Sequence, residues 1–229
     1  FQPVGQRVGW NARLGERHLD ALLRSTVLAE LGRYGDKSAL EKSSTLFAQY
    51  AEEPNSVHPD IRAVALNLAA KHGDRSTYDS MWELQRRATM EEEKVRLLTA
   101  LTQFEQPELI EETLRRSLLP GEVRVHNTIR MVARGASNRH GRDLSWEFVK
   151  GNWQEFDRRY SEGGFGLMEL VSITSRFATQ EKLDDVTKFF KDHPTPAAER
   201  AIRQSLERVR LNIAWLGKNR QYLADWFSP

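Results

Sequence analysis

The stretch TPAAERAIRQSLERVRLNIAWLGKN, Thr195 to Asn219, carries the clearest sign of this chain's fold. Its large apolar residues recur at alternating intervals of four and three, at Ile202, Leu206, Val209, Ile213 and Leu216. Because an α-helix has about 3.6 residues per turn, this spacing places them on one face. The stretch therefore predicts a helix that packs one side against a core, with Thr195 as its N-cap and Gly217 at its end.

Helix starts of this kind recur along the whole chain at similar intervals. They are predicted near Asp36, Asp74, Gln106, Arg142, Thr179 and Lys218. Four positions after each start stands a large apolar residue: Leu40, Tyr78, Ile110, Trp146, Leu183 and Tyr222. A unit of about 37 residues holds two helices and a turn, and such units stack against their neighbours in solenoid proteins.

We therefore predict an all-α fold, a superhelical array of antiparallel helix hairpins of the HEAT- or armadillo-like α-solenoid type. About six hairpin units would form a single domain over residues 1–229. In the last unit, Tyr222, Leu223, Trp226 and Phe227 would pack against the end of the array. A multi-helix domain with accidental spacing is the alternative.

The composition indicates a folded domain rather than a disordered one, since 39% of the 229 residues are hydrophobic and 29% are charged. The net charge of +2 argues against a nucleic-acid partner. The absence of cysteine excludes disulfides and thiolate metal sites. With no Asn-x-Ser/Thr acceptor and no apolar run of membrane-spanning length, we expect a cytoplasmic location and no membrane partner.

Motifs that carry catalytic chemistry are missing from the sequence. None of the histidines has the spacing of a helical zinc pair, and GGFG at Gly163–Gly166 lacks the Lys-Ser/Thr of a phosphate loop, so it predicts a turn between helices. In GERHLDALLR, Glu16 and Asp20 share one face of the predicted helix and His18 points away from both, so the three cannot bind one ion. Acidic residues in a first turn instead suit the positive end of the helix dipole. We therefore predict no catalytic residue, no metal ligand and no cofactor in this chain.

One run, from Arg124 to Arg142, is basic throughout and contains no acidic residue. On a helix, His126, Arg130 and Arg134 form one stripe at intervals of four. Arginine binds carboxylates with two parallel hydrogen bonds, so this stripe is a candidate carboxylate-binding site. Two alternatives stay open: a solvated basic face opposite Ile129 and Val132, and ion pairs with acids of the next hairpin.

Several ordered stretches resemble the C-terminal domain of the zinc-dependent gluzincin aminopeptidases, most of all the puromycin-sensitive type. They span Gly9 to Trp226 and are VGWNARLGERHLDALLR, HPDIR, EEKVRLL, HGRDLSWEFVKGNW and FFKDHPTPAAERAIRQSLERVRLNIAWL. The resemblance implies a helical superhelix, beginning part-way through the family domain, that encloses the active-site cavity of a catalytic domain in the same polypeptide.

The resemblance also implies that the parent enzyme releases N-terminal amino acids from peptides with a zinc ion. The family's zinc and exopeptidase motifs are absent here, so no catalytic or metal residue can be carried over and the chain alone is not expected to be an enzyme. Its partners would be the catalytic domain and peptide substrates, with His126, Arg130 and Arg134 as candidate peptide-binding residues. The alternative is a free-standing HEAT-like scaffold for protein–protein interaction.

Overall fold

The computed structural model describes residues 1–13, 15–161 and 165–228. Within these ranges the chain forms α-helices and short 3₁₀ turns and contains no β-strand, so the all-α class is confirmed. The chain divides into two compact units, Phe1–Thr113 and Leu114–Pro229. A single domain of about six hairpins stays a prediction.

The first unit contains six complete helices and most of a seventh. Their bounds are α1 Gln2–Val8, α2 His18–Arg33, α3 Lys37–Glu52, α4 Pro59–His72, α5 Arg75–Arg87, α6 Glu91–Leu101 and α7 Pro107–Ser117, with a 3₁₀ turn at Pro54–Ser56. Helix α4 packs against α2, α3 and α6, and α5 packs against α6. These contacts join helices one or two places apart in the chain, which is the pattern of stacked hairpins.

Aromatic rings fill the centre of the first unit. Tyr78 is fully buried and meets Phe104 edge-on at a centroid distance of 5.3 Å and Trp82 at 6.3 Å. The Thr113 hydroxyl donates a hydrogen bond to the Tyr78 oxygen at 3.2 Å. Edge-to-face rings add about 0.5–1.5 kcal/mol beyond the apolar area they bury. The large residue four positions into this repeat is therefore a core residue, as predicted.

The second unit contains the remaining helices. Their bounds are α8 Val125–Ser137, α9 Arg142–Gly151, α10 Trp153–Tyr160, α11 Phe165–Ser172, α12 Gln180–Asp192 and α13 Glu199–Phe227, with 3₁₀ turns at Ile173–Arg176 and Pro196–Ala198. Helix α8 packs against α9 and α11, while α13 packs against α11, α12 and the turn Ile173–Arg176. The predicted turn at Gly163–Gly166 falls partly outside the described residues, and Gly166 itself belongs to α11.

Trp146 joins α9 to α12 in the second unit. Its ring is fully buried and meets Phe189 edge-on at 5.1 Å. Its indole N–H donates to Asp185 at 2.6 Å, and the Lys150 ammonium donates to both oxygens of that carboxylate at 3.0 Å. Although burial opposes the charged form, these hydrogen bonds hold the pKa of Asp185 below its usual value.

The predicted helix starts agree with the structure except for the last one. Asp36 and Asp74 each accept a hydrogen bond from the backbone N–H three residues on, at 3.0 Å, and Thr179 does so at 3.3 Å. Helices α7 and α9 begin at Pro107 and Arg142. Side-chain caps are local signals, so the sequence alone was sufficient to find these starts.

The predictions for the end of the chain were wrong. Helix α13 continues through Gly217 and Lys218 to Phe227, so no helix begins near Lys218. Glycine ends a helix where the backbone turns left-handed, but Gly217 does not have a positive φ. Tyr222, Trp226 and Phe227 are 67%, 68% and 72% exposed rather than packed.

The start of the same segment also differs from the prediction. A 3₁₀ turn precedes α13, and the Thr195 hydroxyl donates to the carbonyl of His193 instead of capping the helix. Helix α13 itself begins at Glu199, whose preceding residue makes no side-chain cap. The proline at position 196 is compatible with this short turn because its missing N–H is not needed there.

Candidate peptide-binding cleft

The acidic and histidine residues of GERHLDALLR do not form a site. Glu16 precedes α2 and accepts hydrogen bonds from the guanidinium of Arg24, one of them at 2.7 Å from Nη1. His18 begins α2, and Asp20 pairs with Arg7 at 3.2 Å. The expectation that Glu16 lies within the first turn was wrong, because α2 begins at His18 with Arg17 as its N-cap. Among the described residues, no group of three or more His, Asp or Glu side chains could hold a metal ion.

A cleft of about 470 Å³ lies in the second unit beside the predicted basic stripe. Helix α8 lines it with Arg130, Ala133, Arg134 and Ser137, which share one face at intervals of three and four. Helix α11 and the turn Ile173–Arg176 supply the opposite wall, with Glu169, Ser172, Ile173, Ser175 and Arg176. The cleft thus contains three guanidinium groups and one carboxylate.

These three arginines are available to a ligand. Arg130, Arg134 and Arg176 are exposed, and within residues 1–13, 15–161 and 165–228 none of them has a carboxylate partner within 4.0 Å. Several other arginines form ion pairs, such as Arg159 with Glu155. Unpaired guanidiniums facing one cleft favour a ligand with negative charge.

Serine hydroxyls give the cleft a second kind of polar group. Ser137 donates to the carbonyl of Ala133 at 2.9 Å, Ser172 to that of Glu169 at 2.7 Å, and Ser175 to that of Ser172 at 2.6 Å. Because each hydroxyl proton is used within its own helix or turn, the oxygens present lone pairs that accept hydrogen bonds. The cleft therefore offers donors for a carboxylate and acceptors for amide N–H groups.

The buried face of α8 fixes the direction of the basic stripe. Ile129 is almost fully buried and Val132 fully buried, so Arg130 and Arg134 face away from the core. The structure brings these two arginines into the cleft, whereas His126 is exposed at the first turn of α8 and does not line it. Ion pairing with acids of the next hairpin, one of the two alternatives, is absent for Arg130 and Arg134 among the described residues.

Sequence reasoning missed the wall formed by α11 and the turn after it. Arg176 lies more than 40 residues beyond Arg134, in a short turn with no periodic pattern. Its place in the cleft depends on how α11 packs against α8. No local signal in the sequence reports such a contact.

Comparison with known proteins gives the family of the chain. Residues 1–211 match the model of the ERAP1-like C-terminal domain. The chain belongs to this family. The match includes the whole cleft and ends within α13, at Leu211.

Proteins with similar sequences include plant and mammalian aminopeptidases. The chain is 33% identical to Aminopeptidase M1-A of Oryza sativa subsp. japonica over 226 residues, 96% of this chain and 25% of that protein. It is 29% identical to Aminopeptidase M1 of Arabidopsis thaliana over 221 residues, 94% and 25% of the two chains. It is 30% identical to Aminopeptidase N of Homo sapiens over 194 residues, 82% and 20%.

This family assignment confirms the resemblance at the level of the aminopeptidase C-terminal domain. The chain spans a quarter or less of the length of these relatives. The puromycin-sensitive type stays a prediction. Among the described helices, none combines the length and the apolar character that a bilayer crossing requires.

Proposed function

We propose that this chain is the non-catalytic C-terminal domain of a zinc metallo-aminopeptidase that releases N-terminal amino acids from peptides. The observation that carries the proposal is the family match over residues 1–211 together with the aminopeptidase relatives. In this proposal the domain encloses the active-site cavity of a catalytic domain in the same polypeptide. The zinc ion belongs to that catalytic domain, the parent enzyme is of the puromycin-sensitive type, and it is located in the cytoplasm.

Hydrolysis of an aminoacyl amide tests whether catalysis requires the catalytic domain and is absent from this chain alone. The chain alone and a full-length protein that carries it are each assayed with zinc supplied. We expect hydrolysis by the full-length protein only, because the described residues of this chain offer no metal-binding cluster. Hydrolysis by neither protein would favour the scaffold alternative, and hydrolysis by the chain alone would contradict the proposal.

We further propose that the cleft between α8 and α11 binds the part of a peptide distal to its N-terminus. Arg130 and Arg134, with Arg176 from the opposite wall, would bind a carboxylate, and the serine oxygens would accept peptide N–H groups. His126, the third residue of the predicted stripe, lies outside the cleft lining and would contribute less.

Alanine substitutions in the full-length enzyme test whether the arginines of the cleft bind the peptide, as opposed to a general effect of surface charge on KM. We expect Arg130→Ala with Arg134→Ala to raise KM for peptides with a free C-terminal carboxylate by roughly 10-fold or more, since hydrogen bonds to charged groups contribute about 1.5–3 kcal/mol. The effect should be smaller for C-terminally amidated peptides. Arg176→Ala should act in the same direction and His126→Ala should not.

A control pair on α13 removes the same number of charges elsewhere. Arg200→Ala with Arg203→Ala changes two exposed arginines outside the cleft and should leave KM unchanged. If both double variants raise KM equally, the effect comes from net charge and not from the cleft. An unchanged KM and unchanged peptide length preference in the Arg130/Arg134 variant would rule out the proposed contact.

A further inference from the structure

The cleft between α8 and α11 carries more positive charge than one carboxylate neutralises. Arg130, Arg134 and Arg176 supply three positive charges and Glu169 supplies one negative charge, so the net charge of the described lining is +2. All four side chains are exposed, and among the described residues none of them has an ion-pair partner within 4.0 Å. A peptide with a single carboxylate would therefore leave one positive charge of the cleft uncompensated.

Ion pairs elsewhere in the molecule show how many arginines one carboxylate engages. Glu155 accepts hydrogen bonds from Arg158 at 2.7 Å and from Arg159 at 2.5 Å. Glu93 also pairs with two arginines, one from its own helix and one from α4. The two oxygens of a carboxylate together have about four lone pairs, which two guanidinium groups occupy. Two arginines from one wall of the cleft are therefore enough for the C-terminal carboxylate of a peptide.

The third arginine of the cleft lies on the other wall. Arg130 and Arg134 are one turn apart on α8, whereas Arg176 belongs to the 3₁₀ turn that follows α11. The two walls are held by a close helix contact, because a Cβ atom added to Gly166 of α11 would lie 2.5 Å from the Ile129 side chain on α8. Positive groups on opposite walls of a cleft of about 470 Å³ suit two negative groups joined by a short linker.

We propose, building on the peptide contact proposed above, that the cleft is specific for peptides whose C-terminal residue is glutamate or aspartate. The α-carboxylate would bind Arg130 and Arg134, and the side-chain carboxylate would bind Arg176. The two negative charges of such a residue match the net charge of the cleft, which favours it over a neutral C-terminal residue. With a neutral residue, Arg176 would attract the single carboxylate only from a distance.

Glu169 provides a way to read the charge of the bound residue. It is the one acidic side chain among the described residues of the lining, and it repels a bound anion. Because this repulsion grows with the charge of the ligand, Glu169→Gln should tighten the binding of a peptide that ends in glutamate more than that of one that ends in alanine. A cleft that used Glu169 to bind a C-terminal lysine would respond in the opposite way.

Isothermal titration calorimetry of the 229-residue chain with short Gly/Ser peptides tests the proposal. The peptides end in glutamate, alanine or lysine and have a free C-terminal carboxylate. At low salt we expect the Glu-ended peptide to bind about 5- to 10-fold tighter than the Ala-ended one, with the difference reduced at high salt. The control is an isomer with its glutamate at the N-terminal end, which should bind like the Ala-ended peptide. Equal binding of the two isomers, or tighter binding of the Lys-ended peptide, would overturn the proposal.

Substitutions at Arg176 test the contact with the second carboxylate. Arg176→Ala should reduce the preference for the Glu-ended over the Ala-ended peptide to less than about 2-fold, and Arg176→Lys should keep part of it, since lysine retains the charge but not the paired hydrogen bonds. The matched control is Arg200→Ala, which removes an exposed arginine of α13 outside the cleft and should leave the preference unchanged. A full preference in folded Arg176→Ala would contradict the assignment.

Amidated peptides distinguish an error in the C-terminal specificity from an error in the peptide contact itself. If a free carboxylate improves binding of the Ala-ended peptide but glutamate adds nothing, only the acidic specificity is wrong. If amidation changes nothing, or no peptide binds, the peptide contact is wrong as well. Glutarate has the two carboxylates of a C-terminal glutamate without the peptide chain. Glutarate that binds as tightly as the Glu-ended peptide would assign the cleft to a free dicarboxylate and overturn the peptide specificity.

Discussion

Arg24 is 1% exposed, and its guanidinium donates to three groups near the start of the chain. It bonds to the carbonyl of Val8 at 3.1 Å from Nη2, to that of Gly9 at 2.9 Å from Nε, and to the Glu16 carboxylate. These bonds tie α1 and the segment after it to α2. A buried guanidinium is tolerable only with such partners, so Glu16 has a structural role rather than a chemical one.

The pH dependence of stability should report this ion pair. Hydrogen bonding from the Arg24 side chain, and then from the Arg13 backbone N–H, lowers the pKa of Glu16 to about 2. A carboxyl whose pKa is lower in the folded state stabilises it above the unfolded pKa of about 4.3, and this contribution is lost as the pH falls towards 2. We expect Glu16→Gln to lower Tm at pH 7 by about 4–8 °C and much less near pH 2.

Thermal unfolding of the wild type and of Glu16→Gln between pH 7 and pH 2 measures how the Tm difference depends on pH. The matched control is Glu41→Gln, which changes an exposed glutamate of α3 and should leave the pH profile unchanged. If the Tm difference between wild type and Glu16→Gln were constant over this range, the ion pair would not stabilise the fold.

Two glycines illustrate the difference between the end of a helix and its interior. Gly35 follows α2 with φ of +83°, a left-handed conformation that favours glycine. Gly217 lies inside α13, and a Cβ atom added there would meet nothing within 4 Å. Glycine therefore marks the end of a helix at position 35 and lies inside a helix at position 217.

Alanine substitution should consequently have opposite effects at the two glycines. Gly217→Ala should stabilise the second half of α13 by about 0.5–1 kcal/mol, because alanine loses less backbone entropy in a helix. Gly35→Ala should destabilise the first unit by about 1–2 kcal/mol, because its Cβ clashes in the left-handed region. Urea unfolding of Gly35→Ala and of the wild type measures this difference in the free energy of unfolding.

The rate of hydrogen exchange at the backbone amides between Gly217 and Phe227 measures the stability of this part of α13 in Gly217→Ala. Slower exchange is expected if α13 is continuous there. Faster exchange after Gly217→Ala would instead indicate a helix that ends at this glycine, as the sequence alone had predicted.

Over the whole molecule, the described residues contain no cluster of His, Asp or Glu side chains that could hold a metal ion. We therefore expect neither EDTA nor added zinc to change the Tm of this chain by more than about 1 °C, since only a ligand that binds the folded state raises Tm. Differential scanning calorimetry at equal protein concentrations makes the measurement. A zinc-dependent rise in Tm at one equivalent of metal would place a metal site in the chain itself.

Local patterns in the sequence were enough to predict the helical class, most helix starts and the resemblance to the family. Asp36, Asp74 and Thr179 are recognisable because a cap acts on the backbone three residues away, and apolar periodicity is equally local. The same reasoning placed Arg130 and Arg134 on one helix face, since that relation depends only on the pitch of the helix.

Packing between helices sets which of these faces contact each other and which stay exposed to water. Arg176 joins Arg130 and Arg134 because α11 packs against α8, a contact between residues far apart in the chain. Trp226 has the apolar character of a core residue, yet it is exposed because α13 extends beyond the helices that cover its first half. Burial depends on the neighbours that packing provides, and a single helix contains no information about its neighbours.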